Sequence, residues 1–323
     1  MRKQNEKALE QLMKYFYRKK YSNDTIKRWV ITAVEFIAFL EKYDKTVDDV
    51  GDLLNSEGRV VQKELFGVRD YIDTKTKYSA GYVHYLHKVL KRFYIAWEKH
   101  FPIDNEDFPK DKGDPERKMF TTDQILKVQE TARTIWVGRD KKNPGDIIGL
   151  RDYCVVLVAI DCGPRRTQIC ELNVENYNDL NGTLFIPKAK GGRDTIRALS
   201  DTTKNALRFY IVKRKQIDVD EKAMFLKKSE ARVTKSCVSE MLVFTMKKAG
   251  VYETGFGFHS FRRAKCWRLK KAGFTEEQMN DVMGWKRGSK MSHIYGELDQ
   301  TEIQNKATDA DDIFKRRGKV AVD

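Results

Sequence analysis

A polar stretch rich in proline divides this chain of 323 residues into two parts. Three of the six prolines, Pro102, Pro109 and Pro115, fall between Phe101 and Lys118. Proline has no amide proton to donate and disfavours helix in the residue before it, so one continuous helix cannot cross this segment. The length also lies at the upper end of the range for a single core. We therefore predict a domain over residues 1–101, a linker over 102–118, a second domain over 119–300 and a tail over 301–323.

The first hundred residues carry the periodicity of amphipathic helices. Apolar residues recur at spacings of three and four from Trp29 to Leu40, after the capping candidate Ser22, and again from Tyr82 to Trp97, after Ser79. Two shorter apolar stripes lie before and between them: Leu9, Leu12, Met13 and Phe16, then Val60, Leu65, Val68 and Tyr71. This pattern predicts helix throughout, with about four helices in a small bundle.

The second domain combines helices with a short stretch of β-structure. A helix is predicted to begin at Thr121. Two β-branched runs, 182–187 and 194–199, flank a turn that contains glycines and basic residues, which indicates a β-hairpin with a basic tip. Further helices are expected from Asp201, over 234–248, after His259 and after Thr301. The predicted fold class is mainly α with a small β-hairpin or sheet (α+β).

The composition favours a polyanionic partner. The formal net charge is +15, and phosphate contacts with such a surface release counterions and drive affinity. Solvated lysine faces are the ordinary alternative. No apolar run approaches the roughly 20 residues of a membrane span, and the N-terminal residues lack the apolar core of a signal peptide. We therefore expect a cytoplasmic protein, associated with the nucleoid, that has no membrane partner.

The cysteines and acidic residues do not form the patterns of a metal site. The five cysteines are an odd number and include no CxxC pair, so reduced, mostly buried thiols are expected. The second domain has no DxD or HxH cluster near its basic motifs, which makes a metal-dependent nuclease a weak alternative. No cofactor is predicted.

Four basic positions and one tyrosine in the second domain could act together on a phosphodiester. His259 and Arg262 are three residues apart, on one face of a helix turn. Arg165 follows a Gly-Pro turn into a helix, where backbone amides also attract anions, and Arg166 is equally eligible. Lys190 lies at a glycine turn, with Lys188 as its rival, and Tyr295 is the only tyrosine after Arg262.

Each of these residues has a plain structural explanation. The cations could be solvated surface charges, and the tyrosine could bury its ring and expose its hydroxyl. Their combination is more informative, because phosphodiester cleavage without metal requires a nucleophile, a base, an acid, and cations on the non-bridging oxygens. Arginine suits the last role, since its planar fork can bind two phosphate oxygens and stays charged.

In motif order, most of residues 119–300 resembles the tyrosine recombinase family of phage-integrase-like enzymes. The resemblance rests on five segments: 163–172 for the first arginine motif, 190–194 for the hairpin lysine, 259–262 for HxxR, 283–285 for the LGH or LGW element, and 294–295 for the nucleophile. The N-terminal bundle is similar to the family's core-binding, DNA-binding domain only in size and helical content. The resemblance implies double-stranded DNA as substrate, no small-molecule substrate, and a homotetramer on DNA.

The resemblance also implies a role for each residue. Arg165 and Arg262 would clamp the scissile phosphate, and Lys190 would protonate the departing 5′ oxygen. His259 would assist proton transfer from Tyr295, which would attack phosphorus and leave a 3′-phosphotyrosyl enzyme. Trp285 occupies a position where many members carry histidine, and its indole N–H can donate one hydrogen bond to phosphate.

Three features depart from the family pattern. Gln168 replaces an acidic residue, Arg263 replaces a frequent second histidine, and the spacing from Trp285 to Tyr295 is about one residue longer than usual. The function predicted is a site-specific recombinase, an integrase of a mobile element. A dimer resolvase, a type IB-like topoisomerase and a non-catalytic DNA-binding protein on the same scaffold remain alternatives. For the tail, docking on a neighbouring subunit and folding back in cis are both open.

Overall fold

The computed structural model describes residues 2–64, 66–75, 77–103, 118–189, 191–217, 219 and 221–291. The chain forms two compact units, Met1–Glu116 and Arg117–Asp323. Residues 104–117 of the predicted linker and the whole predicted tail, 301–323, lie outside the described residues. So do two predicted site residues, Lys190 and Tyr295.

The first unit is a small helical bundle with one short hairpin. Its elements are α1 (Lys3–Arg18), α2 (Asn23–Lys42), β1 (Leu53–Leu54), β2 (Val60–Gln62), α3 (Val68–Asp73) and α4 (Ala80–Ala96). Helix α2 starts at the predicted cap Ser22, and α4 starts directly after Ser79. The hydroxyls of both serines accept backbone N–H groups of the first turn. Helices α1, α2 and α4 pack around a core that includes Phe16, Phe36 and Phe93.

The prediction of helix throughout this unit is wrong between α2 and α3. Val60 lies in strand β2, which pairs antiparallel with β1, and not in a helix that leads to Tyr71. The turn explains the difference: the Asn55 side chain accepts the N–H groups of Glu57 and Arg59, and Gly58 has a φ of 75°. An Asn-initiated turn closed by glycine favours a hairpin over a helix.

The second unit is built around one central helix. Its helices are α5 (Thr122–Lys142), α6 (Ile147–Cys162), α7 (Arg166–Glu171), α8 (Asp201–Lys215), α9 (Lys235–Lys248), α10 (Phe258–Lys271) and α11 (Glu276–Met283). Helix α6 packs against α5, α8 and α10, and its residues from Tyr153 to Ile160 are all buried. A helix that is apolar on every side belongs in a core. Its C-terminal end leads directly into the predicted Gly163–Arg165 turn.

The predicted hairpin is confirmed and belongs to a three-stranded antiparallel sheet. Strand β4 (Thr183–Ile186) pairs with β5 (Thr195–Ala198), and β3 (Tyr177–Asn178) adds a third strand on the other side of β4. The fold class is therefore mainly α with small sheets, as predicted. None of the described helices is long and apolar enough to cross a membrane.

The five cysteines are free thiols, and all except Cys237 are buried. Burial raises the pKa of the Cys162 thiol to about 12 and that of Cys266 to about 11. Such thiols stay protonated near neutral pH, so they pack as small apolar side chains.

Candidate active site

The turn that carries Arg165 is fixed by Gly163. This glycine follows α6 with a φ of 54°, and its N–H donates to the carbonyl of Ala159 at 3.0 Å. A Cβ atom there would lie 3.2 Å from the Cα of Arg262, so glycine also permits α10 to approach closely. Arg165 then caps α7 in an extended conformation and is half-buried.

Gln168 ties this turn to the sheet. Its side-chain oxygen accepts the Arg165 N–H at 2.9 Å, and its amide nitrogen donates to the Pro187 carbonyl at 2.6 Å. A carboxylate at this position could accept the first bond but could not donate the second. Glutamine in place of the family's acidic residue therefore suits this chain, because the Pro187 carbonyl needs a hydrogen-bond donor.

Three arginines bind the last carbonyl groups of α6 and its turn. Arg268 donates to Ile160, Arg197 to Cys162 and Arg262 to Gly163. These cations come from β5 and α10 and meet the negative end of the α6 dipole, where positive charge is favoured. Arg197 was not predicted as a site residue, because it stands in a β-branched run with no motif around it; its side chain is buried, with 5% exposure.

Arg262 connects three of the predicted motifs. Its guanidinium donates to the carbonyl of Gly163 at 2.9 Å and to that of Met283 at 2.8 Å, and it lies 5.2 Å from the centre of the Trp285 ring. Arg262 has 0% exposure. The structure therefore brings Arg262 to the Arg165 turn and encloses it between backbone carbonyls and the indole.

Trp285 lies in a small apolar cluster rather than at the surface. The ring is 2% exposed and packs with Cys266, Leu269, Met279 and Met283. Its backbone N–H donates to the Asn280 carbonyl at 2.9 Å. In this structure the indole supports the Arg262 guanidinium, and no open face of it is available for a ligand.

His259 lies in the first turn of α10 and is exposed. Partial burial of the imidazole, and then the positive charges of Arg262, Arg263 and Arg165, lower its pKa from the ordinary value. The neutral imidazole that results near pH 7 can accept a proton.

Arg165 and His259 face a common cavity of about 490 Å³. Its lining residues are Arg165, Arg166, Thr167, Ser239, Leu242, Val243, Gly255, Phe256, Gly257, Phe258 and His259. Among these residues there is no carboxylate, and Arg166 is held in place by a bond to the Ser239 hydroxyl at 2.6 Å. Two guanidinium groups, an imidazole and no acidic side chain favour an anion over a cation as a ligand of this cavity.

Arg263, which stands where the family often has a second histidine, is not among the residues that line this cavity. It donates to the carbonyl of Lys118 at 3.0 Å and so anchors α10 to the segment before α5. No group of three or more histidine, cysteine or acidic residues able to hold a metal occurs within the part of the chain that the structure describes.

Comparison with known proteins places these features in a family. The Phage integrase family profile matches residues 118–302. The tyrosine recombinase XerC of Caldanaerobacter subterraneus subsp. tengcongensis is 21% identical over 156 residues, which are 48% of this chain and 43% of that protein. The matched part thus spans less than half the length of this relative.

Solved structures with the same fold include three recombinases. XerA recombinase matches with a TM-score of 0.51 and 20% identity, over 95% of this chain and 98% of its own. XerH site-specific recombinase, bound to its palindromic difH substrate in a post-cleavage complex, matches with a TM-score of 0.67 and 14% identity. The match covers 88% of this chain and 79% of XerH. The Tn1549 transposon integrase in complex with transposon right end DNA matches with a TM-score of 0.61 and 16% identity. The match covers 93% of this chain and 98% of the integrase chain. At these identities the likeness concerns the fold.

The family profile covers more than half of the chain, and its range contains the arginine turn, the hairpin and the HxxR helix that converge in the second unit. The chain belongs to the phage integrase family of tyrosine recombinases.

Proposed function

We propose that this protein is a site-specific DNA recombinase that cuts and rejoins double-stranded DNA through a 3′-phosphotyrosyl intermediate. The observation that carries the proposal is the convergence of Arg165 and His259 on a cavity without carboxylates, with Arg262 binding the turn that holds Arg165. The net charge of +15 suits DNA as the partner. The solved relatives of the same fold include proteins bound to DNA.

The first chemical step assigns one task to each group. The hydroxyl oxygen of Tyr295 attacks phosphorus and forms the phosphotyrosyl bond, while the bond from phosphorus to the 5′ oxygen breaks. His259, neutral near pH 7, takes part in removing the tyrosine proton, and Lys190 supplies a proton to the leaving oxygen. The placement of Tyr295 and Lys190 in these roles rests on the family motifs.

The arginines stabilise charge as it redistributes on the phosphate. Arg165 is half-buried and lines the cavity, so its fork can reach a non-bridging oxygen there. Arg262 has no exposed surface, so direct contact with phosphate requires the Met283 carbonyl or the Trp285 ring to shift. The contacts that Arg262 makes in the structure fit a second role, which is to hold the Gly163 turn and Trp285 in place against α10.

Strand exchange follows from the same bond. The phosphotyrosyl link keeps the free energy of the broken phosphodiester, so a 5′ hydroxyl from another strand can attack it without ATP or metal. Two duplexes with two cuts each require four active sites, and we propose a homotetramer on DNA. The tail over 301–323 is our candidate for a contact with a neighbouring subunit.

Covalent trapping tests the proposal. Wild type and Tyr295→Phe are incubated with supercoiled plasmid in EDTA, denatured with SDS, and assayed for protein-linked DNA and relaxed circles. We expect adducts in wild type alone, mapped to the peptide that contains Tyr295, because the substitution removes one hydroxyl and no charge. Adducts that persist in Tyr295→Phe, or cleavage that EDTA abolishes, would contradict the mechanism.

A non-catalytic DNA-binding protein is the second candidate, and one observation favours it. Arg262 and Trp285, which the family motifs place at the phosphate, are both enclosed in this structure. If the wild type binds DNA but gives neither adducts nor relaxed circles on any duplex, this second function replaces the first.

A further inference from the structure

The turn between β4 and β5 is attached to the turn that follows α11. The backbone N–H of Arg193 donates to the Gly284 carbonyl at 3.1 Å, and its side-chain Nε donates to the Trp285 carbonyl at 2.9 Å. The same guanidinium forms an ion pair with Asp281 in the last turn of α11. Arg193 therefore makes one backbone contact and two side-chain contacts with the segment from Asp281 to Trp285.

The two turns approach so closely that both need glycine. A Cβ atom on Gly192 would lie 2.6 Å from the carbonyl oxygen of Gly284, a distance that real side chains do not adopt. A Cβ atom on Gly284 would lie 3.0 Å from the carbonyl oxygen of Arg193. Gly284 also has a φ of 66°, in the left-handed region that favours glycine. The sequence of both turns thus matches a close backbone contact.

The hairpin turn is also fixed at its other end. The Gln168 side chain donates to the Pro187 carbonyl, the Lys188 N–H donates to the Asp194 carboxylate at 2.6 Å, and the Gly192 N–H donates to the Ala189 carbonyl at 2.8 Å. These contacts lie on both sides of position 190, although Lys190 itself is outside the described residues. The backbone before and after the lysine is therefore held by named partners.

We propose that Arg193 is a positioning residue for the general acid of strand cleavage. This inference rests on the proposed function and on an acid carried by the 187–194 turn. A general acid must lie within hydrogen-bond reach of the leaving oxygen, and small misplacements of a catalytic group cost large factors in rate. Arg193 prevents such misplacement because it fastens the turn to the Met283–Trp285 segment, which also contacts Arg262.

The ion pair contributes to position more than to stability. The side chains of Arg193 and Asp281 are 37% and 61% exposed, and exposed ion pairs stabilise proteins little. Lysine cannot replace arginine here, because a single ammonium group lacks the planar fork that reaches the Trp285 carbonyl and the Asp281 carboxylate together. Arg193→Ala and Arg193→Lys should therefore both fold normally and both displace the acid.

A leaving-group experiment separates positioning from general damage. A duplex is first selected from a random pool by its covalent capture on the wild type. It is then made with either the natural 5′ oxygen or a bridging 5′ sulfur at the cleaved bond. Sulfur leaves as a thiolate and needs no proton, so a defect confined to the acid disappears on that substrate. Single-turnover cleavage is measured for Arg193→Ala, Arg193→Lys, Asp281→Asn, Lys188→Ala and Lys190→Ala.

Arg208→Ala is the matched control. Arg208 forms an ion pair with Asp179 at 2.9 Å, with a side chain that is 55% exposed, on α8 and away from both turns. This variant loses the same kind of contact without touching the hairpin tip. Its cleavage rate should match the wild type on both substrates, as should the DNA affinity of every variant to within about threefold, since one rim charge changes affinity little.

We expect Arg193→Ala and Arg193→Lys to lose about tenfold or more in cleavage rate on the oxygen substrate and to recover to within about threefold of wild type on the sulfur substrate. Asp281→Asn should show the same pattern with a smaller loss. Equal losses on the two substrates, or no loss on either, would overturn the positioning role. It would also be overturned if neither Lys188→Ala nor Lys190→Ala were rescued, because the turn would then carry no acid.

Failure of the proposed function has a different signature. In that case the wild type captures no duplex from the pool, and the positioning role falls with it. A wild type that forms adducts, together with an unrescued Arg193→Ala, leaves the recombinase function intact and removes only the inference about Arg193.

Discussion

Replacing Gly284 by alanine should lower the free energy of unfolding of the second unit. The loss should exceed the usual cost of placing an alanine in the left-handed backbone conformation. Gly284 ends α11 with a φ of 66°, and its missing Cβ would lie 3.0 Å from both the Arg193 carbonyl oxygen and the Thr195 methyl carbon. Gly288 has nearly the same φ, 69°, but no atom within 4 Å of an added Cβ. Gly288→Ala is therefore a control that shares the backbone strain and lacks the crowding.

The two contributions can be estimated separately. The left-handed conformation costs an alanine roughly 1–2 kcal/mol relative to glycine, and this applies to both variants. Crowding against a packed neighbour adds typically about 1–3 kcal/mol, and this applies to Gly284→Ala alone. The carbonyl of Arg193 is backbone and cannot rotate away as a long side chain could, which places the added cost in that range.

Urea unfolding of the full chain, followed by circular dichroism, measures the difference. We expect Gly288→Ala to lower the free energy of unfolding of the second unit by about 1–2 kcal/mol. Gly284→Ala should lower it by at least about 1 kcal/mol more, with an unchanged dependence on urea concentration. Equal losses in the two variants would show that the hairpin turn and the α11 turn are not in close contact, which would also remove the structural basis for the role of Arg193.

Two further predictions concern the Arg165 turn. Gln168→Leu should destabilise the second unit by about 1–3 kcal/mol, because the Arg165 N–H and the Pro187 carbonyl lose a partner that is 4% exposed; a neutral result in urea unfolding would refute this linking role. The cleavage rate should rise with pH, because the neutral form of His259 is the base. The midpoint of this rise should lie below the ordinary histidine pKa of 6.5, since burial and the neighbouring guanidinium groups lower the pKa of His259. The single-turnover rate from pH 5 to 8 tests this, with His259→Asn expected to lose that rise, and a midpoint above 6.5 would contradict the charge argument.

Local signals in the sequence predicted the helix starts and the hairpin correctly. Ser22 caps a helix as expected, and helices start directly after Ser79 and Thr121, which cap them too. A hydroxyl that accepts a first-turn N–H is a local interaction that needs no tertiary context. The glycine-containing turn between two β-branched runs likewise specified the β4–β5 pairing.

Where tertiary contacts decide, the sequence was less informative. Val60 matched a helical stripe, yet the Asn55 turn placed it in a strand. The family motifs assign Arg262 to the phosphate, and the structure packs its guanidinium between the carbonyls of Gly163 and Met283, 99 and 21 residues away, and against the Trp285 indole. Partners that distant in sequence leave no local pattern, so the enclosure could not be predicted from spacing.

The same long-range contacts hold several cations close together in the second unit. Arg197, Arg262 and Arg268 donate to carbonyls at the end of α6, where the helix dipole offsets part of their charge. Carbonyl oxygens accept hydrogen bonds from these cations but leave them charged. Burial of the imidazole, and then the positive charges of Arg262, Arg263, Arg165 and Arg166, lower the pKa of His259. An anion bound between Arg165 and His259 would therefore gain from charges that the fold already holds in place, without the cost of assembling them on binding.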